Sequence, residues 1–96
     1  MRKYEVMIII DQDVDERQVP ALVEKHLNTI TNGGGTVDSN DLWGRRRLAY
    51  DINKKSEGIY AVVDFTSTSD TAKELDRQLG INEVVLRTKI LRTDAR

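Results

Sequence analysis

Three consecutive arginines, Arg45, Arg46 and Arg47, are the residues whose type and spacing most clearly suggest a chemical role. They run directly into an alternating apolar segment that ends at Ile52, so a dense positive charge stands at the start of a predicted strand. The formal net charge of the whole chain is only -1 at pH 7, and this local excess is therefore not a consequence of composition. Guanidinium groups donate paired hydrogen bonds to phosphate oxygens, and clustered cations release counterions when they bind nucleic acid. The run predicts contact with a polyanion, RNA or DNA.

Further basic residues lie at the amino terminus, in the turn after this strand and in the last predicted strand. Lysine and arginine on edge strands also prevent pairing with another sheet, but that alternative explains one or two charges per edge and not this many. Tyr60 is the only aromatic residue that the third predicted strand turns clearly outward, so contacts to the backbone of a folded RNA fit better than a platform for stacked bases. The predicted RNA contacts are Arg2, Lys3, Arg45, Arg46, Arg47, Lys54, Lys55, Arg87, Lys89 and Arg92.

Two other segments could be mistaken for functional sites. His26 is the only histidine, but it lies on the apolar stripe of the first predicted helix and is interpreted as a packing residue. The glycine run 33–35 follows a helix and has no Gly-Lys-Ser/Thr after it, so it predicts a helix cap and linker and not a phosphate loop.

The acidic segment Asp11, Asp13, Asp15 and Glu16 lacks the central glycine and terminal glutamate of a calcium loop. Capping and solubility are the preferred interpretation, and a magnesium site stays open as an alternative. The chain has no cysteine, which excludes disulfides, thiolate zinc sites and cysteine nucleophiles. No catalytic residue, metal or cofactor is predicted.

The length of 96 residues predicts one domain, 1–96, with a single modest core. The apolar run that follows the first five residues is too short for a signal peptide, and no segment approaches the ~20 apolar residues of a membrane span. A soluble cytoplasmic protein without a membrane partner is expected.

Apolar periodicity, caps and turns predict six elements in the order strand, helix, strand, strand, helix, strand. This is an α+β fold of the split βαβ type, a four-stranded antiparallel sheet with both helices on one face. The first and third strands are expected to be central, and the arginine strand and the last strand to be edges. The predicted ranges are strand Arg2 to Ile10, a helix from near Glu16 to the glycine run, an irregular strand Thr36 to Ile52 that becomes regular from about Arg45, a turn Asn53 to Gly58, strand Ile59 to Thr66, a helix through Leu79 stopped by Gly80, and strand Val84 to Leu91.

Alternation along the arginine strand assigns Leu48, Tyr50 and Ile52 to the core, and it assigns Arg45 and Arg47 to the open face of the sheet. Arg46 then has the core parity, and must either snorkel past the core edge or be redirected by a bulge at Gly44. The apolar residues on the open face need cover, which predicts a protein partner there. This predicted partner face comprises Met7, Ile9, Tyr60, Val62, Val85 and Leu91.

The segment Gly44-Arg-Arg-Arg-Leu-Ala-Tyr-Asp-Ile52 closely resembles the signature of the bacterial small-subunit ribosomal protein six family. The opening Met1 to Glu5, the hairpin ending in Glu-Gly-Ile-Tyr60, and Leu75-Asp-Arg-Gln-Leu with the segment Asn82 to Arg87 resemble family segments in family order. Two departures are Lys89 in the last strand and the absence of a long tail after Arg96, so tail-dependent modification is not expected.

The resemblance implies a ferredoxin-like fold and a role without catalysis in the small ribosomal subunit. It implies binding to the central domain of small-subunit ribosomal RNA together with small-subunit ribosomal protein eighteen, through the arginine run with Leu48 and Tyr50 as core supports. The alternative from another class is a small enzyme or ligand-binding regulator of acylphosphatase type. That activity needs an anion-cradling loop after the first strand, where this chain has acidic residues that would repel phosphate.

Overall fold

The computed structural model describes residues 1–52 and 54–94, so Asn53 of the predicted turn and Arg96 of the basic carboxyl-terminal segment lie outside the described residues. One antiparallel sheet of four strands has the order β2-β3-β1-β4. The predicted ferredoxin-like fold is confirmed, with β1 and β3 central and β2 and β4 at the edges. The elements are β1 (Arg2–Asp11), a 3₁₀ turn (Glu16–Gln18), α1 (Val19–Asn32), β2 (Thr36–Ile52), β3 (Lys55–Ser67), α2 (Ser69–Ile81) and β4 (Val85–Arg92).

The core lies between the two helices and one face of the central strands, because β1 and β3 alternate regularly and present matching apolar residues to that face. Tyr4 and Phe65 are directly opposite in the β1–β3 register, and their ring centroids are 5.4 Å apart. Alternation in the sequence predicts Tyr4, Val6, Ile8 and Ile10 on one face of β1 and Ile59, Ala61, Val63 and Phe65 on one face of β3, and the structure buries all of them in the core.

His26 is buried on α1, as its place in the apolar stripe predicted. Asn82 Nδ2 donates to its Nε2 atom over 2.9 Å, and Asn82 Oδ1 accepts from the backbone amide of Val84. Burial is the main cause that lowers the pKa of His26, and the nearby charge of Lys25 lowers it further. The imidazole is therefore a neutral packing residue.

The second helix ends later than predicted. Gly80 lies inside α2, which continues to Ile81, and Asn82 caps it by donating its backbone amide to the Leu79 carbonyl over 3.3 Å. A glycine near the end of an apolar stripe resembles a stop signal, but here the asparagine two residues further on supplies the cap. The amino terminus agrees with the prediction, since the Thr68 side chain accepts from the Thr71 amide.

The turn between β2 and β3 is shorter than predicted, because β3 already begins at Lys55 and pairs there with Ile52. Lys54 has φ 66°, a left-handed conformation that reverses the chain in few residues. The predicted turn Asn53 to Gly58 is therefore wrong in extent, and residues 55–58 belong to the strand.

β2 is irregular along most of its length, with pairing shifts between Val37 and Ser39, between Leu42 and Gly44, and between Arg47 and Ile52. Gly44 has φ 83°, which only glycine adopts without strain. The predicted irregular start is confirmed. The predicted regular section from Arg45 is wrong, because an extra stretch of β2 leaves the ladder after Arg47.

This stretch carries Leu48 to the face opposite the helices. Leu48 is 8% exposed, yet it lies beside Ile9 above Gly58 on the open face of the sheet, outside the main core. Tyr50, predicted to be buried, is 61% exposed, and Ile52 is half-buried. Counting alternate residues failed here because each bulge resets which face the next residue takes.

A bulge in the β1–β4 pairing, next to Ile10, corrects one residue of the predicted partner face. Val85 pairs with Ile10 and packs against the helix-side core, so it is not on the open face. Leu86 is the extra residue, and beyond it Thr88 and Ile90 pair with the inward residues Ile8 and Val6. Among residues 1–52 and 54–94, no helix is long and apolar enough to cross a membrane.

Candidate nucleic-acid interface

The sheet separates the predicted basic contacts into two groups at opposite ends. The hairpin group, Arg45, Arg46, Arg47, Lys54 and Lys55, lies where Arg46 pairs with Gly58 and Gly58 pairs with Asp11. The terminal group, Arg2, Lys3 and Arg92, lies at the start of β1, where Arg92 pairs with Tyr4. Lys3 and Asp11 are eight positions apart along β1, which corresponds to a distance of about 27 Å. A ligand that contacts both groups must therefore be extended.

The bulge at Gly44 decides the direction of the three arginines. Arg46 pairs with Gly58, which has the open-face parity, whereas Arg45 pairs with the inward residue Ile59. Arg47 pairs with Glu57 and shares the parity of Arg45. The predicted open-face direction of Arg45 and Arg47 is wrong, and the alternative in which a bulge redirects Arg46 is confirmed.

The acidic segment after β1 holds two members of the hairpin group. Arg45 donates from Nε to Glu16 Oε1 over 3.1 Å and from Nη1 to the Gln12 carbonyl over 2.8 Å. Lys55 Nζ lies 2.5 Å from Asp13 Oδ2 and 3.7 Å from Asp11 Oδ1. The hydrogen bond to Asp13 raises the pKa of Lys55. These acids therefore position cations, in addition to the predicted cap that Asp15 provides to the amide of Arg17.

The described part of the chain contains no cluster of histidine, aspartate or glutamate suited to a metal ion. The anion-cradling loop that an acylphosphatase-type enzyme needs would occupy the place of the acidic segment, and there the side chains of Asp11 and Asp13 approach a lysine.

Arg46 and Arg47 differ from Arg45 in having no carboxylate within 4.0 Å among the residues the structure describes. Both are exposed, as is Lys54. In the terminal group, Arg92 donates from Nε to Asp94 Oδ1 over 2.8 Å, and this bond lowers the pKa of Asp94. Both groups therefore contain exposed cations with no described carboxylate within 4.0 Å, namely Arg46, Arg47 and Lys54 in the hairpin group and Arg2 and Lys3 in the terminal group.

Two aromatic residues that the sequence analysis did not assign to a site lie on the open face at this end. Trp43 is 47% exposed and stacks on Tyr60, with ring centroids 6.2 Å apart and planes at 5°. Tyr50 accepts a hydrogen bond from Arg87 Nη1, and the Arg87 guanidinium carbon lies 5.7 Å from the Tyr50 ring centroid. The signal for Trp43 was its position beside Gly44, since a bulge exposes a neighbouring side chain.

The remaining predicted partner face is partly available. Met7, Tyr60 and Val62 are half-buried on the open face, and Leu91 is 48% exposed. Ile9 is only 5% exposed because the irregular stretch of β2 covers it, so it is not free for a partner.

The family model of ribosomal protein S6 matches residues 3–92 of the chain. The small ribosomal subunit protein bS6 of Beutenbergia cavernae is 64% identical over 95 residues, which cover 99% of each chain. That of Acidothermus cellulolyticus is 58% identical over 96 residues and 100% of each chain. The crystal structure of 30S ribosomal protein S6 from Thermotoga maritima superposes with a TM-score of 0.88 at 32% identity, covering 95% of this chain and 86% of that chain. The chain therefore belongs to the ribosomal protein S6 family and is a non-enzymatic component of the small ribosomal subunit in the cytoplasm.

Proposed function

We propose that this small-subunit protein binds the central domain of small-subunit ribosomal RNA together with small-subunit ribosomal protein eighteen. The observation that carries the RNA half of the proposal is the hairpin end of the sheet, where Arg46 and Arg47 are exposed and no described carboxylate lies within 4.0 Å of either guanidinium. Edge protection needs fewer charges than this. Guanidinium forks with free donors match phosphate oxygens on an RNA backbone.

The hairpin group is proposed to act in two ways. Arg46, Arg47 and Lys54 contact phosphates directly, because no described carboxylate lies within 4.0 Å of their charged groups. Arg45 and Lys55 must exchange Glu16 and Asp13 for phosphate before they can contribute, so they gain less on binding. Arg87 and Lys89 extend this surface along β4, and the terminal group of Arg2, Lys3 and Arg92 forms a second contact about 27 Å away.

The partner half of the proposal is supported by the composition of the open face away from the hairpin end. Glu5 pairs there with Asp64 and with Leu91, and the next row pairs Met7 with Val62. Apolar residues flanked by carboxylates suit a basic protein partner, because its cations can meet the acidic row while Met7, Val62 and Leu91 are buried. Tyr60 completes this proposed face at its boundary with the hairpin end.

The RNA contact is tested by the salt dependence of binding to the ribosomal RNA central domain. The double variant Arg46→Gln, Arg47→Gln should lower the slope of log affinity against log salt by about two, since each phosphate contact contributes about one. Arg77→Gln is the matched control, because Arg77 is exposed on α2, in the helix layer of the fold. If the double variant binds and assembles like the control at all salt concentrations, the arginines only protect the edge and the RNA proposal fails.

The partner contact is tested separately by Leu91→Gln, which removes an exposed apolar side chain without adding charge to the acidic row and should leave the fold intact. Co-assembly with ribosomal protein eighteen should weaken, while the salt slope for RNA alone stays unchanged. If this variant co-assembles with the affinity of the unmodified chain, Leu91 and the residues paired with it do not contact the partner protein.

A further inference from the structure

The open face contains a groove of about 550 Å³ at the hairpin end. Its floor comes from Met7 and Ile9 of the central strand β1. Its walls include Tyr60 from β3, Arg87 from β4, and Leu48 and Tyr50 from the irregular stretch of β2. The groove exists because that stretch leaves the ladder and folds over the sheet. Its size falls within the range of small-ligand sites in proteins.

The described charged side chains that line the groove are all cationic. Among the described residues, those that line it include Arg87 and Lys89 and no carboxylate, although the same face is acidic two rows away at Glu5 and Asp64. Arg46 pairs with Gly58 in the adjoining row and adds a further cation nearby. An anionic ligand is therefore favoured over a cationic or neutral one.

The uncharged surface of the groove suits a flat aromatic group. Tyr50 and Tyr60 both line it, and Tyr60 is backed by the parallel ring of Trp43. Bases stack on such side chains without regard to sequence. Arg87 already lies against the Tyr50 ring and bonds its hydroxyl, so a cation and an aromatic surface are held side by side.

A peptide fits this groove less well than a nucleotide does, for a geometric reason. Extended peptides are recognised mainly by adding a strand at a free sheet edge. The floor of this groove is β1, which is paired on both sides with β3 and β4, so it has no free backbone ladder to offer. Recognition must come from side chains, and those are rings and cations.

From these observations we infer that the groove binds an unpaired nucleotide of RNA, with its base stacked against Tyr50 beside Tyr60 and its phosphate held by Arg87 and Lys89. The inference rests on the RNA-binding role proposed above and gives that role a second mode of contact. The sequence favoured contacts to the RNA backbone over base stacking, because Tyr60 was the only aromatic residue predicted on the outer face of the third strand. The groove reverses this preference. Trp43 and Tyr50 supply the missing aromatic surface, and both reach it through irregularities of β2.

The test measures the affinity of the free chain for a short labelled oligoadenylate and for an abasic ribose phosphate oligomer of equal length, by fluorescence anisotropy. The oligoadenylate should bind about fivefold to a hundredfold tighter, the range that one stacked base gives. Tyr50→Leu should abolish most of this difference without affecting folding, since Tyr50 is exposed. Arg87→Gln should weaken both oligomers, whereas the control Arg77→Gln should change neither. Trp43, the only tryptophan, gives an independent readout by fluorescence when a base stacks next to Tyr60.

Equal affinity for the base-bearing and abasic oligomers would overturn the inference, because the groove would then act only as a charged surface. Displacement of the oligoadenylate by an acidic peptide of similar charge at similar concentration would overturn it too, and would assign the groove to a protein. If Tyr50→Leu leaves oligoadenylate binding unchanged while the Arg46, Arg47 double variant loses central-domain RNA, the groove inference fails and the proposed function stands. If the double variant keeps central-domain RNA and Tyr50→Leu loses base discrimination, the proposed arginine contact fails and the groove stands.

Discussion

The loss of stability caused by Leu48→Ala shows whether the Leu48 side chain lies at the rim of an open groove or in a closed core. Leu48 covers Ile9 at the rim of an open groove, whereas Leu75, at 0% exposure, lies in the closed core. Removing three carbons at ~0.8 kcal/mol each costs about 2.4 kcal/mol of transfer free energy. Water can fill the space beside a groove, so no cavity cost is added, and about 2 kcal/mol is expected. For Leu75→Ala the cavity persists, and about 4 kcal/mol is expected.

Urea unfolding measures both values, with an unchanged m-value as the check that the denatured states are comparable. Equal losses for Leu48→Ala and Leu75→Ala would refute the placement of Leu48 at the groove, and a loss near zero would mean that it covers nothing. The double variant with Ile9→Ala provides a second criterion. Both side chains approach the same point above Gly58, so their effects should be non-additive by at least ~0.5 kcal/mol.

Three further predictions concern stability alone. Burial holds the pKa of His26 in the folded state below its ordinary value of 6.5, so stability should be complete above that pH and fall at lower pH as the unfolded chain takes up the proton. Between the two pKa values, the free energy of unfolding should fall with decreasing pH by up to about 1.4 kcal/mol per pH unit. In His26→Gln, the urea midpoint should depend less on pH over this range. Thr88→Val should raise stability by about 1 kcal/mol in thermal unfolding, because Thr88 Oγ1 is buried without a hydrogen-bond partner among the described atoms. Gly80→Ala should raise it by ~0.5–1 kcal/mol, since an added Cβ inside α2 meets nothing within 4 Å; a loss would restore Gly80 as a helix stop.

The sequence predicted the fold well wherever strands pair without interruption. β1 and β3 share an unbroken register of ten pairs, so alternation identified their inward residues, from Tyr4 to Ile10 and from Ile59 to Phe65. The caps were also readable from residue type, because Thr68 and Asp15 bond backbone amides within their own turn. These features depend on interactions between residues that are close in the sequence or regularly spaced along it, and such interactions can be recognised from residue types alone.

The candidate site was less predictable, because it depends on insertions relative to a regular ladder. Tyr50 and Val85 were assigned to the wrong faces since each lies next to a pairing shift that periodicity cannot reveal. The ion pair of Arg45 with Glu16 joins residues 29 positions apart, and nothing in either local segment indicates it. The types of the functional residues were visible in the sequence, but their directions came from the pairing of β2 with β3.

The bulge at Gly44 makes the direction of the arginines a matter of residue count. Trp43 is the extra residue between the pairs Leu42 with Ala61 and Gly44 with Tyr60, and it moves residues Gly44 to Arg47 by one position along β3. If β2 continued from Leu42 in regular pairing, Arg46 would oppose Glu57 and face the helices, and Arg45 would oppose Gly58 on the open face, without any change in the charge of the chain. Substitutions of Gly44 that disfavour its φ of 83° should therefore impair RNA binding, although every arginine is retained.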